Sequence, residues 1–165
     1  MNELVLEPGK IAGFEPENIR EGIVKVQEFL LKQPGVVEGD QPACPLKHTF
    51  ADGIYVREIF IPKGHLVVGK IHKHSHPNFL MSGEVSVITE TEGSQRLKGP
   101  LSMISKPGTK RLLFAHTDLV WITVHNVGEE RNLEKIEDIV IAKSYGELAA
   151  VESNKPSKIE QKEEL

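Results

Sequence analysis

The chain has 165 residues and a mass of 18.4 kDa, a size that favours a single domain. Its 20 Lys and Arg residues are outnumbered by 24 Asp and Glu residues, and the formal net charge is −4. This balance argues against a nucleic-acid-binding protein, because such proteins concentrate positive charge. The single cysteine, Cys44, excludes an internal disulfide and a zinc site built from cysteines. No basic leader or long apolar run is visible, so we expect a cytoplasmic protein without a membrane partner.

Residues 1–47 are predicted to form an N-terminal arm and a helix. The arm covers residues 1–14. Over residues 16–32 apolar side chains recur at intervals of three and four, which is the period of an amphipathic helix, and we predict a helix there. Residues 34–47 carry three prolines and two glycines, which favour a loop.

Residues 48–151 are predicted to form an antiparallel β-barrel. Segments rich in β-branched and aromatic residues alternate with turn signals, and they cover 54–61, 66–72, 79–81, 84–91, 101–105, 111–115 and 119–126. The short turns leave no room for the crossover helices of a parallel sheet, so a closed antiparallel barrel or sandwich is predicted. A turn at 133–138, an extended stretch at 139–142 and a short helix at 144–151 are predicted next, and 152–165 are expected to be a disordered tail.

Three of the seven histidines, His72, His74 and His76, lie within five residues. Side chains alternate between the faces of a strand, so these three would share a face of an uninterrupted strand. If a turn separates them, His72 and His76 can still converge from the ends of neighbouring strands. Neutral imidazole is a common ligand of divalent metals, and the cluster predicts a site for Fe, Mn, Zn or Ni. The alternative is a solvated loop whose histidines have no function.

The sequence around this cluster resembles the cupin superfamily of small β-barrels. The first cupin motif contains two histidines, a glutamate and a closing glycine. With Gly83 as that glycine, Lys70 and His72 take the histidine positions, and His76 takes the glutamate position. The second motif is similar to residues 99–115, where Arg111 replaces the histidine.

The resemblance covers residues 50–127. The residue pattern is also similar to that of short single-domain cupins of phage-related genomes. The resemblance implies an all-β fold, an antiparallel cupin-type barrel or jelly roll, and the sequence patterns above add an N-terminal helix and a short C-terminal helical segment. Because cations replace two of the four usual ligands, the family's ligand set cannot be transferred whole. His125 ends the strand 119–126 and could compensate. The predicted metal ligands are His72, His76 and His125, with His74 in reserve.

Lys70 and Arg111 lie at positions whose side chains face the interior in cupins. They either reach the rim and pair with barrel acids, such as Glu58, Glu84 or Glu90, or hold a small anionic molecule beside the metal. The predicted substrate-binding residues are Lys70, Asn78, Arg111, Trp121 and Thr123. No glutamate occupies the motif, so His74 is the predicted catalytic acid or base.

Three functions remain open at this point. The first is a metal-dependent enzyme that acts on a small anionic metabolite as an isomerase, a dioxygenase or a hydrolase. The second is a non-catalytic cupin that binds or sequesters a small ligand. The third is a structural barrel with incidental histidines. A homodimer is expected by analogy, because small barrels often bury an open sheet face in this way.

Overall fold

The computed structural model describes residues 6–7, 10–11, 19–36 and 38–153. Short strands dominate it, with helices near both ends. The elements in chain order are β1 (Leu6–Glu7), β2 (Lys10–Ile11), α1 (Ile19–Leu30), β3 (Leu46–Ala51), β4 (Ile54–Ile61), β5 (Leu66–Val68), β6 (Ile71–His72), β7 (His76–Ser82), β8 (Glu84–Thr89), β9 (Gly93–Lys98), β10 (Leu101–Ser105), β11 (Leu112–Ala115), β12 (Leu119–Asn126), α2 (Leu133–Val140), β13 (Ile141–Ala142) and α3 (Tyr145–Ser153).

Two antiparallel sheets enclose the main core. The five-stranded sheet has the order β10-β7-β12-β4-β3, and the four-stranded sheet has the order β5-β11-β8-β9. Apolar side chains from both inner faces pack against each other, and the buried members are Ile61, Leu80, Val85, Val87, Leu113, Ala115, Leu119 and Trp121. The predicted fold class, an all-β antiparallel jelly roll with an N-terminal helix and short C-terminal helices, is confirmed.

The helix α1 covers the outside of the four-stranded sheet. Its residue Ile23 is only 1% exposed and packs against Ile88 and Leu112. These two residues lie on the outer face, because their chain neighbours Val87 and Leu113 belong to the core between the sheets. The amphipathic pattern therefore predicted this helix, which the structure describes from residue 19 onward.

The turn from the five-stranded to the four-stranded sheet requires a glycine. Gly83 connects β7 to β8 and has a φ of +93°, a conformation that side-chain-bearing residues rarely adopt. A Cβ atom at this position would also lie 2.4 Å from the carbonyl oxygen of Asp118. The closing glycine of the first motif thus sets the corner at which the barrel changes sheets.

Several elements differ from the sequence predictions. The predicted strand 66–72 is divided into β5 and β6, the predicted strand 79–81 already begins at His76, and the predicted strand 84–91 ends at Thr89. The predicted extended stretch 139–142 is a strand only at Ile141–Ala142, because α2 continues to Val140. The strand β3 begins inside the predicted loop and pairs with β4. The strand β9 was not predicted, because its side chains are mostly exposed and polar and show no apolar alternation. The predicted turn at 133–138 is the helix α2, whose N-cap Asn132 accepts a hydrogen bond from the backbone of Lys135 at 3.1 Å.

Some expectations stay predictions. The predicted disordered tail falls mostly on residues 154–165, and much of the predicted arm falls on residues 1–5, 8–9 and 12–14; all of these lie outside the described residues. Within the described ranges, no helix has the length and apolar character needed to cross a membrane. The homodimer is likewise untested.

Candidate metal centre

Three histidines meet at one end of the barrel interior. His72, His76 and His125 each offer a ring nitrogen, and these nitrogens lie within 4.8 Å of one another. The ring centroids are 4.2 Å apart for His72 and His76, 4.6 Å for His76 and His125, and 5.4 Å for His72 and His125. Nitrogens bound to one ion at about 2.1 Å lie at most about 4.2 Å apart. Small side-chain rotations therefore suffice to bring all three onto a common ion.

The strand pairing explains why distant residues meet. The strands β7 and β12 are neighbours with Asn78 opposite Thr123, and His76 and His125 lie two positions further along the same inner faces. His72 comes from β6, which pairs with β13 through Ile141. The segment that follows α2 thus fixes the position of the third histidine.

Two of the ring nitrogens are buried without a partner. The Nδ1 atom of His76 lies 3.0 Å from the carbonyl oxygen of His74, and when it donates a hydrogen bond there, the Nε2 lone pair is left free. His76 Nε2 and His72 Nδ1 are both buried and have no hydrogen-bond partner among the described residues. Buried polar atoms are normally satisfied, and a metal ion would satisfy these two.

The surroundings keep the three imidazoles neutral. Burial lowers the pKa of His72 to about 2 and that of His125 to about 4, and it also lowers the pKa of His76. Repulsion from neighbouring histidines and from Arg57 and Arg111 adds to these shifts. Only the neutral imidazole binds a metal, so the site is in its metal-binding protonation state at neutral pH.

A chain of hydrogen bonds links the core to Arg111. The indole of Trp121 donates to the side-chain oxygen of Asn78 at 3.2 Å, and the amide of Asn78 donates to the hydroxyl of Ser105. The guanidinium of Arg111 donates to the same hydroxyl and lies 5.7 Å from the centroid of the Trp121 ring. Asn78 and Trp121, predicted to bind substrate, therefore face the interior, where they position Ser105 and Arg111. Thr123 also faces the interior and is 8% exposed.

The structure does not bring Lys70 and His74 to the three histidines. Lys70 ends at the surface, where its ammonium group pairs with Glu137. The side chain of His74 is exposed and acts on His125 only through space, and its direct contact with the cluster is its backbone carbonyl. Two of the acids considered as partners for interior cations pair elsewhere: Glu84 with Arg96 and Lys98, and Glu90 with Arg20.

The sequence analysis missed two residues beside the cluster. Tyr55 stacks on His125 at a centroid distance of 6.1 Å, and its hydroxyl lies 2.7 Å from Nδ1 of His48. Arg57 lies on the same face of β4, opposite Thr123 in the register. Alternation along β4 places Arg57 on the same face as Tyr55, but alternation alone does not tell whether that face looks inward.

The likeness of this chain to known proteins is a likeness of fold. No family model matches the sequence, and no curated protein matches it. Ectoine synthase from P. lautus is similar in structure, with a TM-score of 0.50 and 12% identity over 67% of this chain and 80% of that chain. An RmlC-like cupin from Shewanella frigidimarina has a TM-score of 0.46 and 18% identity, covering 60% and 89% of the two chains. A cupin superfamily protein from Desulfitobacterium hafniense has a TM-score of 0.46 and 8% identity, covering 55% and 84%.

Proposed function

We propose, from the premise that this chain has the cupin fold, that it binds a divalent metal ion and uses it to hold a small anionic molecule. The ligands are His72, His76 and His125. The observation that carries the proposal is the set of three neutral imidazoles whose ligand nitrogens lie within 4.8 Å of one another. Two of these nitrogens are buried and have no hydrogen-bond partner in the described part of the chain. The phage-related subtype stays a prediction.

The chemistry of the donor set fits a reactive metal. Three histidine ligands leave coordination positions open, and imidazole suits Fe, Ni and Zn. When bound, the metal would polarise a ligand oxygen or lower the pKa of a water molecule. The chain itself orients His76 through the carbonyl of His74 and directs Arg111 through Ser105. A guanidinium beside the metal supports an anionic ligand.

A protein that binds its ligand without converting it is the second candidate. None of the buried polar residues in the described part of the chain is an aspartate or a glutamate. Most enzymes that move protons during catalysis use a side chain close to the reacting atoms. His74, the predicted acid or base, has an exposed side chain. These observations favour binding or sequestration over turnover, and isomerase, dioxygenase or hydrolase activity stays a prediction.

Metal analysis of untagged protein tests the proposal. We expect about one divalent ion per chain in the wild type and almost none in His76→Gln or in the double variant His72→Ala, His125→Ala. The matched control is His74→Ala, which removes a neighbouring histidine outside the cluster and should retain the metal. Circular dichroism shows whether each variant is folded. A wild-type protein that takes up no Fe, Mn, Zn or Ni and shows no thermal shift with them would overturn the proposal.

A further inference from the structure

Arg57 is an interior cation that forms no ion pair with any described residue. It lies on β4 opposite Thr123, it is half-buried, and burial lowers its pKa. Glu137 and Asp40 act on its charge through space, yet no described residue forms a hydrogen bond or an ion pair with its guanidinium. A partly desolvated charge without a partner costs stability, so its presence needs an explanation.

Arg57 and Arg111 flank the three histidines from opposite sides. Arg111 binds Ser105 on β10, and Ser105 is the register partner of His76. In the sheet order, β10 and β4 lie on either side of the pair β7 and β12, which carries His76 and His125. The electrostatic effects agree with this placement. Arg111 lowers the pKa of His76, Arg57 lowers that of His125, and both lower that of His72.

The charge balance of the interior calls for an anion from outside the chain. A divalent metal would add two positive charges to two guanidinium groups. Glu137 and Asp40 act on Arg57 and Glu92 acts on Arg111 through space, but no described acid is buried beside them. Charges removed from water need opposite charges close by. The hydroxyl of Thr123, opposite Arg57, is also buried and has no hydrogen-bond partner in the described residues. This set of groups matches a ligand with more than one acidic group.

We infer that the site binds the metal together with a small dicarboxylate. One carboxylate is held by Arg57 and Thr123, and the other is held by Arg111, because a guanidinium binds a carboxylate through two parallel hydrogen bonds. The inference rests on the proposed metal site, since the metal supplies the charge between the two arginines. Metal and dicarboxylate then strengthen each other's binding by the same factor.

Calorimetric titration of metal-free protein with Zn²⁺, with and without an organic acid, tests the inference. Dicarboxylates from malonate to adipate are compared with monocarboxylates of the same carbon number, such as succinate with butyrate. We expect at least one dicarboxylate to tighten Zn²⁺ binding by about tenfold or more, and its matched monocarboxylate to have little effect. Arg57→Gln and Arg111→Gln should each remove most of this dicarboxylate-dependent increase in Zn²⁺ affinity. Arg96→Gln is the matched control, because Arg96 is exposed and pairs with Glu84.

The outcomes separate this inference from the proposed function. Zn²⁺ binding that is lost in His76→Gln, yet is unchanged by every dicarboxylate, overturns the inference and leaves the metal site standing. Equal tightening by butyrate or by inorganic phosphate overturns the two-carboxylate ligand. If a dicarboxylate tightens Zn²⁺ binding in Arg57→Gln as much as in the wild type, the role of Arg57 is overturned. Absence of Zn²⁺ binding overturns the metal site and this inference with it. Thermal unfolding of metal-free protein controls for folding, and Arg57→Gln should be at least as stable as the wild type, since it removes an unpaired charge.

Discussion

The two ends of the barrel interior are built from the same strands and have opposite chemistry. Along β12, Leu119 and Trp121 belong to the apolar core, whereas His125 belongs to the histidine cluster. The neighbouring strand β7 runs the other way and repeats the change from His76 to Leu80. A shift of only a few residues along one strand therefore separates groups that stabilise the fold from groups that need a ligand.

Burial contributes to the free energy of folding with opposite sign at the two ends. Leu80 and Leu119 are both 0% exposed, and burying such a side chain contributes about 1.5–3 kcal/mol to folding. At the other end, burial leaves His72 Nδ1 and His76 Nε2 without a hydrogen-bond partner among the residues that the structure describes, and an unsatisfied buried polar group costs about 1–3 kcal/mol. The apolar end thus supplies stability, and the polar end retains groups that weaken the metal-free protein.

We expect the largest effect when the metal-free protein is acidified. The folded-state pKa of His72 is about 2 and that of His125 is about 4, both below the unfolded value. The unfolded chain takes up protons below about pH 6.5 while these two imidazoles stay neutral, so the free energy of unfolding falls as the pH falls. The loss from each histidine should approach about 1.4 kcal/mol per pH unit once the pH is well below 6.5, which gives about 4–5 kcal/mol together between pH 6.5 and 4.5, measured by urea unfolding.

The double variant His72→Leu, His125→Leu is the control for this pH dependence. With both imidazoles replaced by apolar side chains, the free energy of unfolding should change much less over the same pH range. If the variant loses stability on acidification as steeply as the wild type does, the two histidines are not the source of the effect.

The next test substitutes one side chain at the apolar end, Leu80, and one at the polar end, His76. Leu80→Ala leaves a cavity in the apolar core, and we expect it to lower the free energy of unfolding by about 2–5 kcal/mol while metal binding persists in the folded protein. His76→Leu removes a buried nitrogen without a partner and keeps much of the volume. It should change the stability of the metal-free protein by less than about 1 kcal/mol and abolish metal binding.

Urea unfolding and metal analysis of both variants measure this exchange. The contrast between the two ends fails if His76→Leu destabilises the metal-free protein as much as Leu80→Ala does. It also fails if Leu80→Ala, although folded, no longer holds the metal. The conservative change Leu80→Met, which preserves volume, should cost less than about 1.5 kcal/mol and serves as the control.

The sequence predicted the strands with apolar inner faces better than the exposed edge strand and the short helix. The strands β4, β10 and β12 have the predicted bounds, because turn signals flank runs of apolar and β-branched residues. The edge strand β9 and the helix α2 were not predicted as such. Most side chains of β9 are exposed, so burial imposes no alternation there, and α2 is too short for its period to stand out.

The histidines of the candidate site and Arg111 were predicted from the sequence, whereas Arg57 was not. His76 and His125 could be grouped from motif spacing and strand alternation, and the structure brings both together with His72. Arg57 could not be assigned, because alternation separates two faces of a strand without saying which one looks inward. That choice depends on the register with β12, a contact between segments more than sixty residues apart.

The smallest expected effect concerns the helix that closes the polar end. Asn132 caps α2 by accepting the backbone hydrogen bond of Lys135, and Ile136 and Val140 of this helix pack against Tyr55. Asn132→Ala should lower the free energy of unfolding by about 1 kcal/mol, whereas Asn132→Asp, which keeps the cap, should change it little. Because α2 leads directly into β13, which pairs with the strand of His72, looser capping should also weaken metal binding slightly. Urea unfolding and Zn²⁺ titration of both variants measure this, and a large loss of metal binding in Asn132→Asp would show that α2 affects the site by a route other than capping.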